Sequence, residues 1–215
     1  ETEIEQMLNY VVKTVKDKEG RRNRYLLLLK YLLCYAESSG LQDILKMETT
    51  QEEEFASLLR KQMGGYNVNA TNFIAFCRKR LFLEAKEIDW EANVWYVEKL
   101  NIAPERYSLS STIESFSFLD IQLEDNRKML QEYLKYLFTV TNLNLGTIRI
   151  KQTYIKEFLK YLEEQEKAIT RINVNSVKEY FEKLSTQRIS PQSYNNKIRE
   201  VITFLQYLQV TEHID

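Results

Sequence analysis

The stretch that decides the fold runs from Ile189 to Val210 and reads ISPQSYNNKIREVITFLQYLQV. Ser190 is a favourable N-cap residue, and Pro191 suits the first helical position because its missing N–H has no helical partner there. Apolar side chains then recur every three or four residues, which is typical of one buried helical face. They are Tyr194, Ile198, Val201, Ile202, Leu205 and Leu208. The stretch therefore predicts an amphipathic α-helix.

The opposite face of this helix carries side chains that are suited to reading DNA. At about 100° per residue, one side of the helix collects Gln192, Asn196, Arg199 and Thr203. Amide and guanidinium groups make paired hydrogen bonds to base edges in a major groove. The solvated face of an ordinary core helix has a similar composition, so these residues alone leave both interpretations open.

A second informative stretch runs from Gly146 to Leu162 and reads GTIRIKQTYIKEFLKYL. Its apolar residues predict another amphipathic helix. Away from the apolar side, a row at i, i+4, i+7 and i+11 consists of Arg149, Thr153, Lys156 and Lys160. Three cations and a hydroxyl in a row could follow a phosphate backbone, although a row of lysines is also common on a solvated helix.

Together the two stretches resemble a known family. The pattern S-P-x-S-x-N-x-x-I-R-x-V-x-x-F-x-x-Y-L, which begins at Ser190, is similar to the last helix of the SAM-like core-binding domain of tyrosine recombinases, the phage-integrase family. The earlier stretch, with Thr147 at its start and F-L-x-Y-L at its end, is similar to a preceding helix of that domain. The segment WEANVWYVEKL from Trp90, followed by SFSFLDI from Ser115, resembles the region ahead of this domain in transposon-encoded integrases.

The resemblance implies a partner and a set of contacts. The partner is double-stranded DNA at a recombination core site, with possible self-association of the protein on DNA. The residues implied as base readers are Gln192, Asn196 and Arg199, with Thr203 on the same face. The residues implied as phosphate contacts are Arg149, Lys151, Thr153, Lys156, Lys160, Ser193 and Lys197. We expect these two helices to grip DNA.

The chemistry of the family is not found in this sequence. The resemblance implies a separate catalytic domain with an Arg, a Lys, an H-x-x-R motif and a nucleophilic Tyr. The single histidine here is His213, and no H-x-x-R motif is present. Phosphate-binding glycine motifs and zinc-binding spacings are also missing. We therefore predict no catalytic residue, cofactor, metal or small-molecule substrate, and expect the DNA-binding part of a larger recombinase, with a free-standing protein as the less favoured alternative.

Composition predicts an all-α protein. The 215 residues include five Gly and two Pro, and β-branched runs are few. We expect an N-terminal helical domain at 1–100, a connection at 101–122 and a four-helix SAM-like core-binding domain at 123–215. Within these, Asp89 to Leu100 is predicted as a short helix, Gly64-Gly65 as a helix end, and Asn175 as the cap of the third C-terminal helix.

Charge and cysteine content indicate where in the cell the protein is expected and which alternative functions stay open. The net charge is −1, but from Asp125 onward 14 Lys and Arg face 11 Asp and Glu. Cys34 and Cys77 are predicted as buried, reduced thiols, and no long apolar run predicts a membrane span, so we expect a protein of the bacterial cytosol. Two alternatives stay open. One is a helical protein-interaction or oligomerisation module without DNA contact, and the other is DNA contact through Arg21, Arg22 and Arg24.

Overall fold

The computed structural model describes residues 2–16, 20–63, 70–107 and 112–214. Over these residues the chain is mainly α-helical, which confirms the predicted all-α class. The helices are α1 Thr2–Thr14, α2 Arg21–Ser39, α3 Thr49–Gln62, α4 Ala70–Glu84, α5 Glu124–Thr139, α6 Leu145–Glu164, α7 Val174–Ser185 and α8 Pro191–Val210. Two three-residue strands are β1 Val94–Tyr96 and β2 Ser115–Ser117, and single 3-10 turns occupy Val97–Lys99, Pro104–Arg106 and Ile169–Arg171.

The chain divides into two units, Glu1–Leu100 and Asn101–Asp215. In the first, α1 to α4 pack around an apolar core that includes Leu32, Phe55 and Ile74. Arg78 of α4 is buried in this unit and pairs with Glu52 of α3, while its Nε donates to the Ile44 carbonyl at 3.2 Å. A buried guanidinium is tolerated there because its charge and its N–H groups have partners.

The stretch Asp89 to Leu100 is not the short helix that the sequence predicts. It contains β1 and a 3-10 turn, and all three residues of β1 are buried. Aromatic and β-branched residues favour an extended chain when both sides of it are covered. Trp95 is fully buried, and the ring of Trp90 meets it edge-on, with 4.8 Å between the centroids.

The second unit contains α5 to α8 and also residues 101–122, which the sequence predicts as a connection. Phe116, Phe118 and Ile121 are fully buried in this unit. Arg106 donates to the carbonyls of Leu143, at 2.7 Å, and Phe138, at 2.8 Å. It thereby satisfies a carbonyl that the C-terminal end of α5 leaves without a helical partner.

The start of α8 agrees with the prediction from its sequence. Ser190 is the N-cap, its side chain accepts a hydrogen bond from the Ser193 N–H at 3.1 Å, and Pro191 is the first helical residue. Asn144 caps α6 in the same way through the Thr147 N–H. The predicted cap of α7 is wrong by two residues, because the side chain of Asn173, and not that of Asn175, accepts from the Ser176 N–H.

Two further predictions concern the first unit. The expected helix end at Gly64-Gly65 lies outside the described residues, and α3 is described to Gln62. Cys77 is buried as predicted, but Cys34 is exposed, so the expectation of two buried thiols is wrong. The buried residues of α2 include Leu28 and Leu32, and helical spacing places Cys34 well away from the side that these residues occupy.

No helix in the part of the chain that the structure describes is long and apolar enough to cross a membrane.

Candidate nucleic-acid interface

The two helices that the sequence singles out, α6 and α8, pack against each other in the second unit. Lys151 of α6 pairs with Glu200 of α8, and Glu157 of α6 pairs with Lys197 of α8 at 2.5 Å. Position 151 precedes 157 on α6 while its partner 200 follows 197 on α8, so the helices run in opposite directions where they touch. These two ion pairs join the helices, and we call the predicted polar residues of α6 and α8, together with the acids that pair with them, the α6–α8 face.

Glu200 is the centre of a charged network on this face. Its side chain is 9% exposed, and its carboxylate accepts from Lys151, whose side chain is 15% exposed. The other carboxylate oxygen lies 3.4 Å from the Nε of Arg199. A carboxylate at this depth is stable only with charged partners close by, and here it has two.

Arg199 is the most exposed cation of the network, with 68% of its side chain accessible. Its Nη2 donates to the Asn196 Oδ1 at 3.0 Å, and its Nε faces Glu200. A guanidinium carries five N–H groups. Two of them hold the side chain in place, and the others remain for an external acceptor.

Asn196 contacts Arg199 in the unbound protein. Paired recognition of adenine uses both the oxygen and the nitrogen of an amide. The Asn196 oxygen already accepts from Arg199. In the unbound protein, Asn196 therefore orients Arg199.

The cation row of α6 is not a row of free cations. Arg149 donates to the carbonyl of Ser115, donates to the Gln152 Oε1 at 3.0 Å, and lies 4.3 Å from the ring centroid of Phe116. Burial lowers the pKa of the Arg149 guanidinium. Two of these contacts, the Ser115 carbonyl and the Phe116 ring, belong to the extended segment around β2, so Arg149 joins α6 to that segment.

Lys156 and Lys160 share one carboxylate. Lys156, 14% exposed, lies 2.5 Å from the Asp120 Oδ1 and also donates to the carbonyl of Ser117. Lys160, 47% exposed, lies 2.7 Å from the Asp120 Oδ2. Burial lowers the pKa of Lys156, and its bond to Asp120 only partly offsets that effect.

The remaining predicted residues are small or neutral. Thr153 and Thr203 each donate a hydroxyl hydrogen bond to the carbonyl four residues earlier, at 3.0 Å and 2.8 Å. The Ser193 N–H is used by the Ser190 cap. Gln192 is exposed in the first turn of α8. Of these residues, Gln192 presents the longest polar side chain to solvent.

Three carboxylates lie on this face, and sequence reasoning noted Glu200 beside the polar side of α8 but missed Asp120 and Glu157. Six cationic side chains of the predicted set stand against these three acids, so the face has a net charge of about +3 by formal counting. Its cations are Arg149, Lys151, Lys156, Lys160, Lys197 and Arg199. Of the two that were missed, Asp120 had a sequence signal, since it lies in the SFSFLDI segment that carries part of the resemblance.

The basic cluster proposed as an alternative DNA contact, Arg21, Arg22 and Arg24, lies at the start of α2. Arg21 and Arg24 are exposed, and the Arg21 guanidinium lies 5.9 Å from the ring centroid of Tyr25. Gly20 is the N-cap and provides no side-chain cap. This cluster belongs to a different unit from the α6–α8 face.

Metal ligation has no support in the described residues, where no group of three or more His, Cys, Asp or Glu side chains could hold an ion.

Comparison with known families gives one match, and it lies in the second unit. Residues 130–212 match the family described as phage integrase, N-terminal SAM-like domain. The match includes all of α6, α7 and α8 and most of α5. No curated protein and no solved structure matches the chain. The part of the chain from residue 130 to residue 212 is therefore similar to the SAM-like domain of phage integrases.

Proposed function

We propose that the chain binds double-stranded DNA through the α6–α8 face, as the part of a tyrosine recombinase that holds a recombination core site. The observation that carries the proposal is the placement of Arg199. It is largely exposed, it is oriented by Asn196 and Glu200, and it lies on α8 of the matched domain. A guanidinium held in this way loses little side-chain freedom when it binds, which favours bidentate recognition of guanine.

Within this proposal the residues divide into two roles. Arg199 and Gln192 read base edges, with Asn196 supporting Arg199. Lys160 contacts a phosphate, because 47% of its side chain is exposed, compared with 14% for Lys156 in the same row. Phosphate contacts fix position and affinity, whereas base contacts decide sequence.

The near-neutral charge of the chain fits a modest affinity. With a net charge of −1, the molecule gains nothing from bulk attraction to DNA, so binding depends on the local excess of cations on this face. A core-binding domain that meets its site as one half of a clamp, next to a second DNA-binding domain, does not need high affinity by itself. In that arrangement self-association on DNA would add to the affinity.

The test is binding of the whole chain to a randomised pool of labelled duplexes at two salt concentrations, followed by sequencing of the bound fraction. We expect affinity that falls steeply with salt and enrichment of one sequence. Arg199→Ala should weaken binding to the enriched site by about 1–3 kcal/mol and relax selection at one base pair. Lys160→Ala should weaken binding to all duplexes alike and reduce the salt dependence by about one phosphate contact.

Matched controls are available in the same unit. Arg171 and Lys178 are exposed and lie outside α6 and α8, so Arg171→Ala and Lys178→Ala remove the same charges elsewhere. If they weaken binding as much as Arg199→Ala and Lys160→Ala, the α6–α8 face is not the interface. No binding at low salt would reject the proposal and favour a protein-interaction module.

That alternative has one specific observation in its favour. A groove of about 570 Å³ between α7 and the start of α8 is lined partly by apolar side chains, including Val177, Phe181 and Tyr194. Val174 at its edge is strongly exposed. An interaction module predicts a partner or a dimer without DNA. Light scattering on the free chain would show a mass above the 25.7 kDa of one copy if the chain dimerises.

A further inference from the structure

Asp120 lies between two lysines of α6, Lys156 and Lys160, on the α6–α8 face. Its two carboxylate oxygens lie 2.5 Å from the Lys156 Nζ and 2.7 Å from the Lys160 Nζ. Partial burial acts to raise the pKa of Asp120, but the hydrogen bonds and charges of the two lysines outweigh it and leave the pKa below its ordinary value. The carboxylate is therefore ionised at neutral pH.

A carboxylate resembles the part of the DNA backbone that would bind at this position. A backbone phosphodiester has two non-bridging oxygens that share one negative charge, and a carboxylate has two oxygens that share one negative charge. Two ammonium groups that each donate to one oxygen suit both anions. Asp120 thus makes the contacts that a phosphate would make with these lysines.

The backbone around Asp120 holds the carboxylate in this position. Phe118 and Ile121, on either side of it, are fully buried. The Ile121 N–H donates to the Phe118 carbonyl at 3.1 Å, which closes a tight turn with Asp120 inside it. Because both ends of the turn are anchored in the core, Asp120 cannot move far from the lysines when DNA approaches.

We propose that Asp120 is an internal competitor of DNA phosphate for Lys156 and Lys160, and that it limits the affinity of the α6–α8 face. The inference rests on the proposed DNA-binding function. One carboxylate neutralises one of the two lysine charges, so the pair is worth about one phosphate contact with Asp120 present and about two without it. The approaching phosphate also meets a like charge.

The test is Asp120→Asn in the whole chain, with binding measured by fluorescence anisotropy on one fixed duplex over a series of salt concentrations. We expect binding to tighten on the order of tenfold at low salt, and the slope of affinity against salt to steepen by about one phosphate contact. The gain should be the same for unrelated duplex sequences, because phosphate contacts carry no sequence information. It should disappear in Asp120→Asn/Lys160→Ala.

Glu164→Gln is the matched control. Glu164 lies on α6, its carboxylate pairs with Lys183 at 2.8 Å, and its removal changes the net charge by the same amount. Equal gains from Asp120→Asn and Glu164→Gln would mean that only overall charge matters, and this would overturn the inference. So would an Asp120→Asn variant that binds like the parent.

A second variant protects the test against a folding defect. Asp120→Ser keeps a residue that suits turns, and circular dichroism checks the helical content of both variants. If the parent binds DNA and neither folded variant binds more tightly, the competition is absent while the proposed function stands. If no version binds DNA at low salt, the proposed function fails and the inference fails with it.

Discussion

The buried pair between Lys151 and Glu200 leads to a prediction about stability that can be worked through residue by residue. The pair joins α6 to α8, and both side chains are largely removed from water. Breaking a buried ion pair by removing one partner leaves an uncompensated charge, whereas replacing both partners with apolar residues of similar size removes the cost. The pair therefore predicts non-additive variants.

The two single variants should differ in magnitude. Glu200→Leu leaves the Lys151 ammonium without its carboxylate, and we expect a loss of about 3 kcal/mol, at the lower end for a buried pair because 15% of the Lys151 side chain reaches solvent. Lys151→Met leaves Glu200 with Arg199 as a partner at 3.4 Å. We expect that loss to be about 2 kcal/mol.

The double variant Lys151→Met/Glu200→Leu should lose only about 2 kcal/mol, most of it from the lost contact between Glu200 and Arg199. The single losses add to about 5 kcal/mol, so the coupling energy is about 3 kcal/mol. The control is the exposed pair of Lys128 and Glu124 on α5, which are 2.7 Å apart. Lys128→Met and Glu124→Leu should couple by less than about 0.5 kcal/mol.

Urea unfolding provides the measurement, with two signals that separate the units. Far-ultraviolet circular dichroism reports all helices, whereas both tryptophans, Trp90 and Trp95, belong to the first unit. The variants should change the dichroism transition and leave the tryptophan transition in place. Additive losses, or a coupling no larger than that of the control pair, would refute the reasoning that these two charges depend on each other.

Two further predictions concern glycines and thiols of the chain. Gly40→Ala should destabilise the fold by about 1 kcal/mol, because Gly40 ends α2 at φ 73°, a backbone conformation that alanine disfavours even with open space around it. Gly146→Ala in the first turn of α6 should be neutral or stabilising by about 0.5 kcal/mol. Urea unfolding midpoints compare the two variants, and equal effects would contradict the backbone explanation. The Cys34 thiol should react with an aromatic disulfide reagent in the folded chain. The Cys77 thiol should react only after denaturation, because it is buried and burial raises its pKa. Two thiols that react quickly before denaturation would contradict the burial of Cys77.

The helices of the candidate site could be predicted because their signals are local. Ser190 and Pro191 set the start of α8, and the apolar spacing that follows identifies its buried side. The error at Asn175 shows the limit of such signals, because two asparagines within three positions both suit a cap and only the fold places Asn173 beside the Ser176 N–H. The helix predicted from Asp89 to Leu100 is wrong because burial on both sides, which favours a strand there, is decided by distant residues.

The sequence by itself determined the helical class, the two polar faces and the residues on them, since each depends on neighbours within one or two turns. Only the tertiary structure decided what those residues do in the unbound protein. Lys151 meets Glu200 across 49 positions, and Lys156 meets Asp120 across 36. Helical periodicity states which side of a helix a lysine occupies, but not which carboxylate the packing brings to it. The difference between an available cation and a neutralised one therefore arises from the packing of α6 against α8 and against the segment that carries Asp120.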